Sequence, residues 1–363
     1  MVGLGGFTHK IERGRPKNGY VWILVSNRLD VLSSCRFVGE IWLGASLQTS
    51  PQHAAAFDDP PRMNLPNQVN ESHHIGTAVD LDMTNETFVR ISSGERAIVD
   101  RGPIDDPLPF LLVHGLASNK HMYDGVGEAL ANAGRRSIAI DQRGHGHSAK
   151  PDDGYDLATV SADLVEVLHV LSIPRITVVG QSWGGNVVIE MGARYPEQLA
   201  GVVCVDGGFI NLGSQFATWE DCAAKLKPPK LIGTPFATLQ GWMRDAHPDW
   251  PESSRLGEVA SFEVRADQTI APWLTFDRHM AILHDLYLHD PTARYPSLRV
   301  PTLMVPAGSK ASFTHDKQGA VDQALALLPN GRAHWFEHAD HDIHAQFPQE
   351  LTNVLLEFAK DLS

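Results

Sequence analysis

One pentapeptide in this chain has the residue types and spacing of a nucleophile site: Gly180-Gln181-Ser182-Trp183-Gly184. It follows the apolar run Ile176-Thr177-Val178-Val179 and precedes a segment with helical pattern, Val187 to Tyr195. A Gly-x-Ser-x-Gly between a strand and a helix is a nucleophile elbow. The bare pattern arises by chance; the flanking elements give it weight. The turn is tight enough that Gly180 and Gly184 leave no room for side chains, and the serine is held strained with its oxygen exposed. The helix behind it turns its positive end toward a developing oxyanion. The chemistry is attack of a serine oxygen on a carbonyl carbon. It requires a base within hydrogen-bond reach, because the hydroxyl alone is a poor nucleophile. Histidine can serve near neutral pH when a carboxylate holds it in the right tautomer.

Such groups must be carried by a regular scaffold, and one is legible from Glu86 onward. Phe88 to Ile91 and Ala97 to Val99, parted by Ser93-Gly94, read as a hairpin. Phe110 to Val113, Ser137 to Ile140, Ile176 to Val179, Val202 to Val205, Thr302 to Val305 and His334 to Phe336 read as short buried strands. Between and after them Tyr123 to Ala133, Leu157 to Leu171, Val187 to Tyr195 and Leu351 to Leu362 have helical pattern, with Gly134 as a stop signal. This alternation predicts an α/β fold, a mostly parallel sheet with helices on both faces.

Three segments interrupt or divide that pattern. Residues 1–82 have no sustained period, and Thr49 to Glu71 has a linker's composition, so 1–82 reads as an extension that is disordered or outside the folded protein. A chain starting at Met83 is expected to keep activity. The scaffold then divides into a first core part, 83–208, an insertion, 209–296, and a second core part, 297–363. The insertion has helical periods and no run of buried strands. It lies where a parallel sheet exposes its ligand crevice, so it reads as a helical cap.

Composition bounds the rest. The formal net charge of -13 argues against nucleic-acid binding, which needs cationic surface to release counterions. No apolar stretch approaches the length of a membrane span. Cys35, Cys204 and Cys222 make no CxxC pair and no even framework, which fits a reducing compartment, and a cytoplasmic location is the expectation.

Over about residues 86 to 363 the chain resembles the α/β-hydrolase superfamily, in its capped, serine esterase-like branch. Beside the elbow, His114-Gly115-Leu116 matches the family's His-Gly oxyanion segment. Asp141-Gln142-Arg143-Gly144-His145-Gly146-His147-Ser148 matches its Asp-x-Arg-Gly-x-Gly-x-Ser turn, in which Asp141 and Arg143 are bracing residues. His341, with Pro348 seven residues on, matches its terminal Gly-His segment, although Asp340 replaces the usual glycine. The resemblance implies a triad in the order serine, acid, histidine, with His341 as base and His338 and His344 as rivals expected in surface loops. It implies an oxyanion hole built from the backbone N–H groups of Trp183 and Leu116. The acid departs from the commonest pattern. After Thr302 to Val305 the chain reads Gly308-Ser309-Lys310-Ala311-Ser312, without a carboxylate, and the first acid is Asp316. Asp206 stands at the end of the preceding strand, where other members carry theirs. It is also an ordinary turn residue in Asp206-Gly207-Gly208. Asp206 is the expected acid and Asp316 the alternative.

This chemistry calls for no cofactor. Metal binding by His338, His341 and His344 is not needed to explain that cluster. The expected substrate is a small apolar or aromatic ester, or a lactone. His114, Gly115, Trp183 and Phe209 are candidate pocket residues, and the cap adds Ile210, Phe216, Leu231, Phe236, Met243, Phe276 and Met280, whose alternative role is the cap's own core. Carbon–carbon bond hydrolysis and cofactor-free perhydrolase or haloperoxidase chemistry stand as alternatives on the same triad. The first would need a cation for a substrate carboxylate, with Arg244, Arg265 and Arg278 as the candidates. A non-catalytic ligand receptor is the alternative of another class.

Overall fold

A computed structural model describes residues 86–308 and 311–362 of the chain, with the side chains of 311–316 left aside. The extension read from the sequence over 1–82 lies outside these residues. The strands are β1 (Glu86–Ile91), β2 (Gly94–Arg101), β3 (Phe110–Val113), β4 (Ser137–Ile140), β5 (Ile176–Gln181), β6 (Leu199–Val205), β7 (Phe262–Val264), β8 (Ile270–Pro272), β9 (Thr302–Val305) and β10 (Gly331–Ala333). The helices are α1 (Asp124–Asn132), α2 (Leu157–Val170), α3 (Trp183–Arg194), α4 (Leu212–Gln215), α5 (Trp219–Leu226), α6 (Phe236–Ala246), α7 (Glu252–Val259), α8 (Phe276–Leu288), α9 (Ala311–Leu327), α10 (Ile343–Gln346) and α11 (Pro348–Lys360). Strands and helices alternate as in an α/β fold.

Eight strands form one sheet in the order β1-β2-β4-β3-β5-β6-β9-β10. Pairing is antiparallel for β1–β2 and β2–β4 and parallel from β4 to β10. Every residue of β3, β4, β5, β6 and β9 is buried. That follows from covering both faces: alternate residues of one strand point to opposite sides, so both sets must be apolar. Leu111, Val113, Ile138 and Val178 join the cluster under α2 and α3, while Phe110, Leu112, Ala139 and Val179 join the one under α1 and α11.

Between β6 and β9 the chain leaves the sheet for α4 to α8 and a hairpin, β7–β8. The insertion is therefore not purely helical. Part of it has its own small core of Leu231, Leu239, Met243, Val259, Phe262 and Ile270. It rests on the loops that follow the strands: Asn119 Nδ2 donates to Gly257 O (2.7 Å) and Ser261 Oγ (2.8 Å), and Ser254 Oγ donates to Ala345 O (2.8 Å).

Two further departures are local. The last strand lies at Gly331–Ala333 rather than His334 to Phe336, and Phe336 continues the ladder only through a single bridge to Ala307. Helix α9 was not signalled by the sequence, because its first turns are polar and without period. Among the described residues, no helix is long and apolar enough to cross a membrane.

Candidate active site

The elbow is built by close approach of backbones. Ser182 takes φ 53° and ψ −122° between the last residue of β5 and the first of α3. A Cβ on Gly180 would run into Gly184 O, and one on Gly184 would meet the carbonyls of Val113 and His114 at contact distances below any side chain's tolerance. The helix begins at Trp183, four residues earlier than its pattern predicts, so its first turn lies directly behind the serine. Among the described residues, five non-glycine residues have positive φ, and Ala117, Ser182 and Asp206 are three of them. Backbone strain of this kind, about 1–3 kcal/mol each, persists where the surroundings over-determine it.

Asp206 ends β6 beside the elbow. Its N–H donates to Val305 O (2.9 Å), Ser182 N–H donates to Val205 O (3.0 Å), and a Cβ on Gly207 would collide with the Ser182 backbone. The carboxylate is closely held. Oδ1 accepts from Ala307 N (3.0 Å) and Lys317 Nζ (2.8 Å), and Oδ2 accepts from Lys317 Nζ (3.0 Å) and His341 Nδ1 (2.7 Å). Burial alone would push this carboxyl up; the His341 hydrogen bond and the Lys317 charge outweigh burial and hold it below the usual range.

His341 sits in the loop between β10 and α10. With Nδ1 donating to Asp206, its Nε2 presents the lone pair. Nε2 and Ser182 Oγ are both buried and neither has a hydrogen-bond partner. Catalytic hydrogen bonds often tighten only when substrate is bound. Gln181 Nε2 donates to Asp342 Oδ1 (3.2 Å) and so ties the elbow to the histidine loop. The rivals go elsewhere. His338 is exposed and pairs with Glu350 (3.2 Å). His344, expected at the surface, is buried against Tyr123, where burial pushes it down to about 3. Asp316 lies in the first turns of α9, within the segment whose side chains are left aside.

The loop after β3 comes close to Ser182: a Cβ on Gly115 would stand 3.2 Å from Ser182 Cβ and would overlap the Gln181 side chain. That places the backbone leading to Leu116 N–H beside Ser182, with Trp183 N–H in the first turn of α3, whose donors lack intrahelical acceptors. Two histidines fix the loop. Gln142 N–H donates to His114 Nε2 (3.1 Å), so His114 Nδ1 carries the proton and donates to Gly115 O (2.7 Å). Ala117 N–H donates to His145 Nε2 (3.2 Å), and His145 Nδ1 donates to Arg143 O (3.0 Å). Burial pushes His114 down to about 4 and His145 well below its ordinary value, so both stay neutral. His114 is thus a backbone brace rather than a pocket-lining group. Asp141 accepts from Lys120 N and Nζ (both 2.8 Å) and from His147 N (2.9 Å), and Arg143 makes a two-pronged bond to Asp163 (2.6 and 2.7 Å). Both are braces.

The apolar candidates in the insertion divide. Leu231, Phe236 and Met243 belong to its own core, Phe276 is exposed, and Phe209, Ile210, Phe216 and Met280 pack against the main core beneath it. Trp183 is buried, and its ring stacks on His145 at 5.5 Å. Among the described residues, no group of three or more His, Cys, Asp or Glu gathers as a metal site would require. Sequence reasoning missed Lys317, which carries no local signal in a polar helix.

Comparison with known proteins agrees with this architecture. The family described as the α/β hydrolase fold matches residues 109–246, from β3 through the elbow into the insertion. Over these residues the chain is similar to the α/β-hydrolase superfamily. It resembles the solved structure of an E-2-(acetamidomethylene)succinate hydrolase with a TM-score of 0.63 and 20% identity, over 76% of this chain and 98% of that one. An uncharacterized Mycobacterium tuberculosis protein is 36% identical over 101 residues, 28% of this chain and 29% of the relative. A non-heme chloroperoxidase of Kitasatospora aureofaciens is 37% identical over 87 residues, 24% of this chain and 32% of the relative. The chain spans about a third of the length of these curated relatives.

Proposed function

We propose that this chain is a serine hydrolase that cleaves small apolar or aromatic esters, or lactones, through an acyl-enzyme on Ser182. The observation that carries this reading is the bond of 2.7 Å from His341 Nδ1 to Asp206, which leaves His341 Nε2 and Ser182 Oγ as buried, unpartnered groups. Ser182 Oγ attacks the ester carbonyl while its proton passes to His341 Nε2. The tetrahedral oxyanion is met by the N–H groups of Trp183 and Leu116. On collapse the leaving alkoxide takes the proton from Nε2. Water then repeats the sequence on the acyl-enzyme, and the residues 209–296 act as a cap over the substrate.

The preference for uncharged esters rests on the cations. Arg278 is tied to the carbonyls of Pro151 (3.1 Å) and Lys150 (2.8 Å), Arg265 is exposed beside Glu263, and Arg244 is exposed. Arg278 is thus engaged with backbone carbonyls, and Arg244 and Arg265 face solvent. This weighs against carbon–carbon hydrolysis of β-diketone-like acids. The chloroperoxidase relative favours a second reading, perhydrolysis, in which hydrogen peroxide replaces water on the same acyl-enzyme.

The test is labelling by a fluorophosphonate together with turnover of p-nitrophenyl acyl esters of graded length, with and without peroxide. Labelling at Ser182 and turnover of short acyl chains are expected, and Ser182→Ala should lose both. Labelling without turnover would instead favour a ligand receptor.

A further inference from the structure

We propose that Lys317 is a positioning residue that sets the pH range over which His341 works as a base, by sharing the Asp206 carboxylate with it; this rests on the serine hydrolase reading above. The geometry is specific. The Lys317 ammonium donates to both oxygens of Asp206 (2.8 and 3.0 Å) and to Ala307 O (2.8 Å), so its donors are used on the acid and on the loop that follows β9. Asp206 is nearly closed to water, and Lys317 is only partly exposed. The cation therefore acts where screening is weak.

A triad acid has two tasks: it fixes the tautomer of the histidine, and its charge stabilises the imidazolium formed in the transition state. Lys317 separates them. The hydrogen bond from His341 Nδ1 to Oδ2 remains, so orientation is kept. The carboxylate charge is already matched by the ammonium, so less of it remains to stabilise a proton on Nε2. Other titratable groups also lie around His341. His344 of α10 is held neutral by burial, and the Asp342 carboxylate accepts from Gln181. Glu258 of α7 faces Asp342 and is itself shifted toward its protonated form, first by burial. His338 pairs with Glu350 at the surface, and Asp340 is the remaining neighbour in the loop, its N–H donating to Gln346 Oε1 (2.8 Å). The consequence is less help from Asp206 for the imidazolium formed on His341.

The test compares the full-length wild type with Lys317→Met, which removes charge and donors, Lys317→Gln, which keeps a donor without charge, and Lys317→Arg, which keeps the charge. The acid limb of kcat/KM for a p-nitrophenyl ester should move up by about one pH unit in the Met and Gln variants and stay in place in Arg, the effect of removing one cation within a few ångströms of the titrating pair. The plateau kcat should rise rather than fall. A limb that stays at the wild-type position in the Gln variant overturns the proposal, as does one that moves down. The same shift is read without turnover from the imidazole resonances of His341 in ¹⁵N-labelled protein, assigned by their loss in His341→Gln. If no ester is hydrolysed, the serine hydrolase reading fails by itself, and the His341 titration still decides the role of Lys317. A Lys317→Met protein that only loses thermal stability, with an unmoved titration, marks the lysine as a staple and overturns the proposal.

Discussion

Two buried carboxyl groups, one at the C-terminal edge of the sheet and one on the insertion, have opposite electrostatic fates. Asp206 accepts from a backbone N–H, an ammonium and an imidazole, and stays ionised despite burial. Glu258 on α7 is fully buried, and neither of its oxygens has a hydrogen-bond partner. Its nearest cationic candidate, His247 Nε2, lies at 3.4 Å, beyond good hydrogen-bonding distance. Burial pushes Glu258 up, the facing charge of Asp342 adds to it, and His247 only partly opposes both. The difference shows that depth alone does not decide ionisation. Donors from His341, from Lys317 of α9 and from the loop after β9 do so at Asp206, whereas Glu258 has only the long contact to His247.

If that contrast is functional, the two carboxyls should respond very differently to the same change. Asp206→Asn keeps the shape but reverses a donor pattern, so His341 is presented in the wrong tautomer; kcat should fall by about 10⁴-fold. Glu258→Gln, which mimics the protonated form, should leave ester turnover near the wild-type level. Steady-state kinetics on one p-nitrophenyl ester reads both. Comparable losses in the two variants would place Glu258 in the chemistry and break the contrast. Next in size is Gly115→Ala. Its Cβ would force the oxyanion loop away from Ser182 and Gln181, and losing one aligned donor should cost about 10²–10³-fold in kcat with little change in KM. A loss confined to KM would show that the Gly115–Leu116 backbone binds substrate without meeting the oxyanion.

How far these features were legible depends on whether the physics is local. The buried strands were, since each is an apolar run closed by glycine, histidine, aspartate or proline, and so was Ser182, whose turn demands its two glycines. The final strand was misplaced by three residues. His334, Trp335 and Phe336 have the side chains of a strand, but the regular pairing with β9 covers Gly331–Ala333, and beyond it only the bridge between Phe336 and Ala307 continues the ladder. The hairpin β7–β8 was missed because its three-residue strands leave no period to read. His344 was expected in a surface loop, and only the packing of α10 against Tyr123 puts it in the core. Asp206 was chosen over Asp316 by the position that a family resemblance suggested. The lysine that shares it comes from 111 positions further along the chain, and no local pattern marks such a partner.

The smallest expected effect separates the two carboxyls by stability rather than rate. Glu258 has a raised folded-state value, so the folded protein binds its proton more tightly than the unfolded chain does. Its contribution to stability is complete below the ordinary glutamate value and is lost as pH rises through the raised one. Asp206 has a depressed value and runs the other way: its contribution is present above the ordinary aspartate value and is lost as pH falls through the depressed one. Glu258→Gln should therefore gain thermal stability relative to wild type as pH rises, with the two curves converging in acid. Asp206→Asn should lose stability relative to wild type above the ordinary aspartate value and recover toward it as pH falls. Thermal unfolding from about pH 2 to pH 8 measures both differences. Parallel curves for wild type and Glu258→Gln would mean that Glu258 is ionised like any surface glutamate. The electrostatic contrast between the insertion and the sheet edge would then disappear.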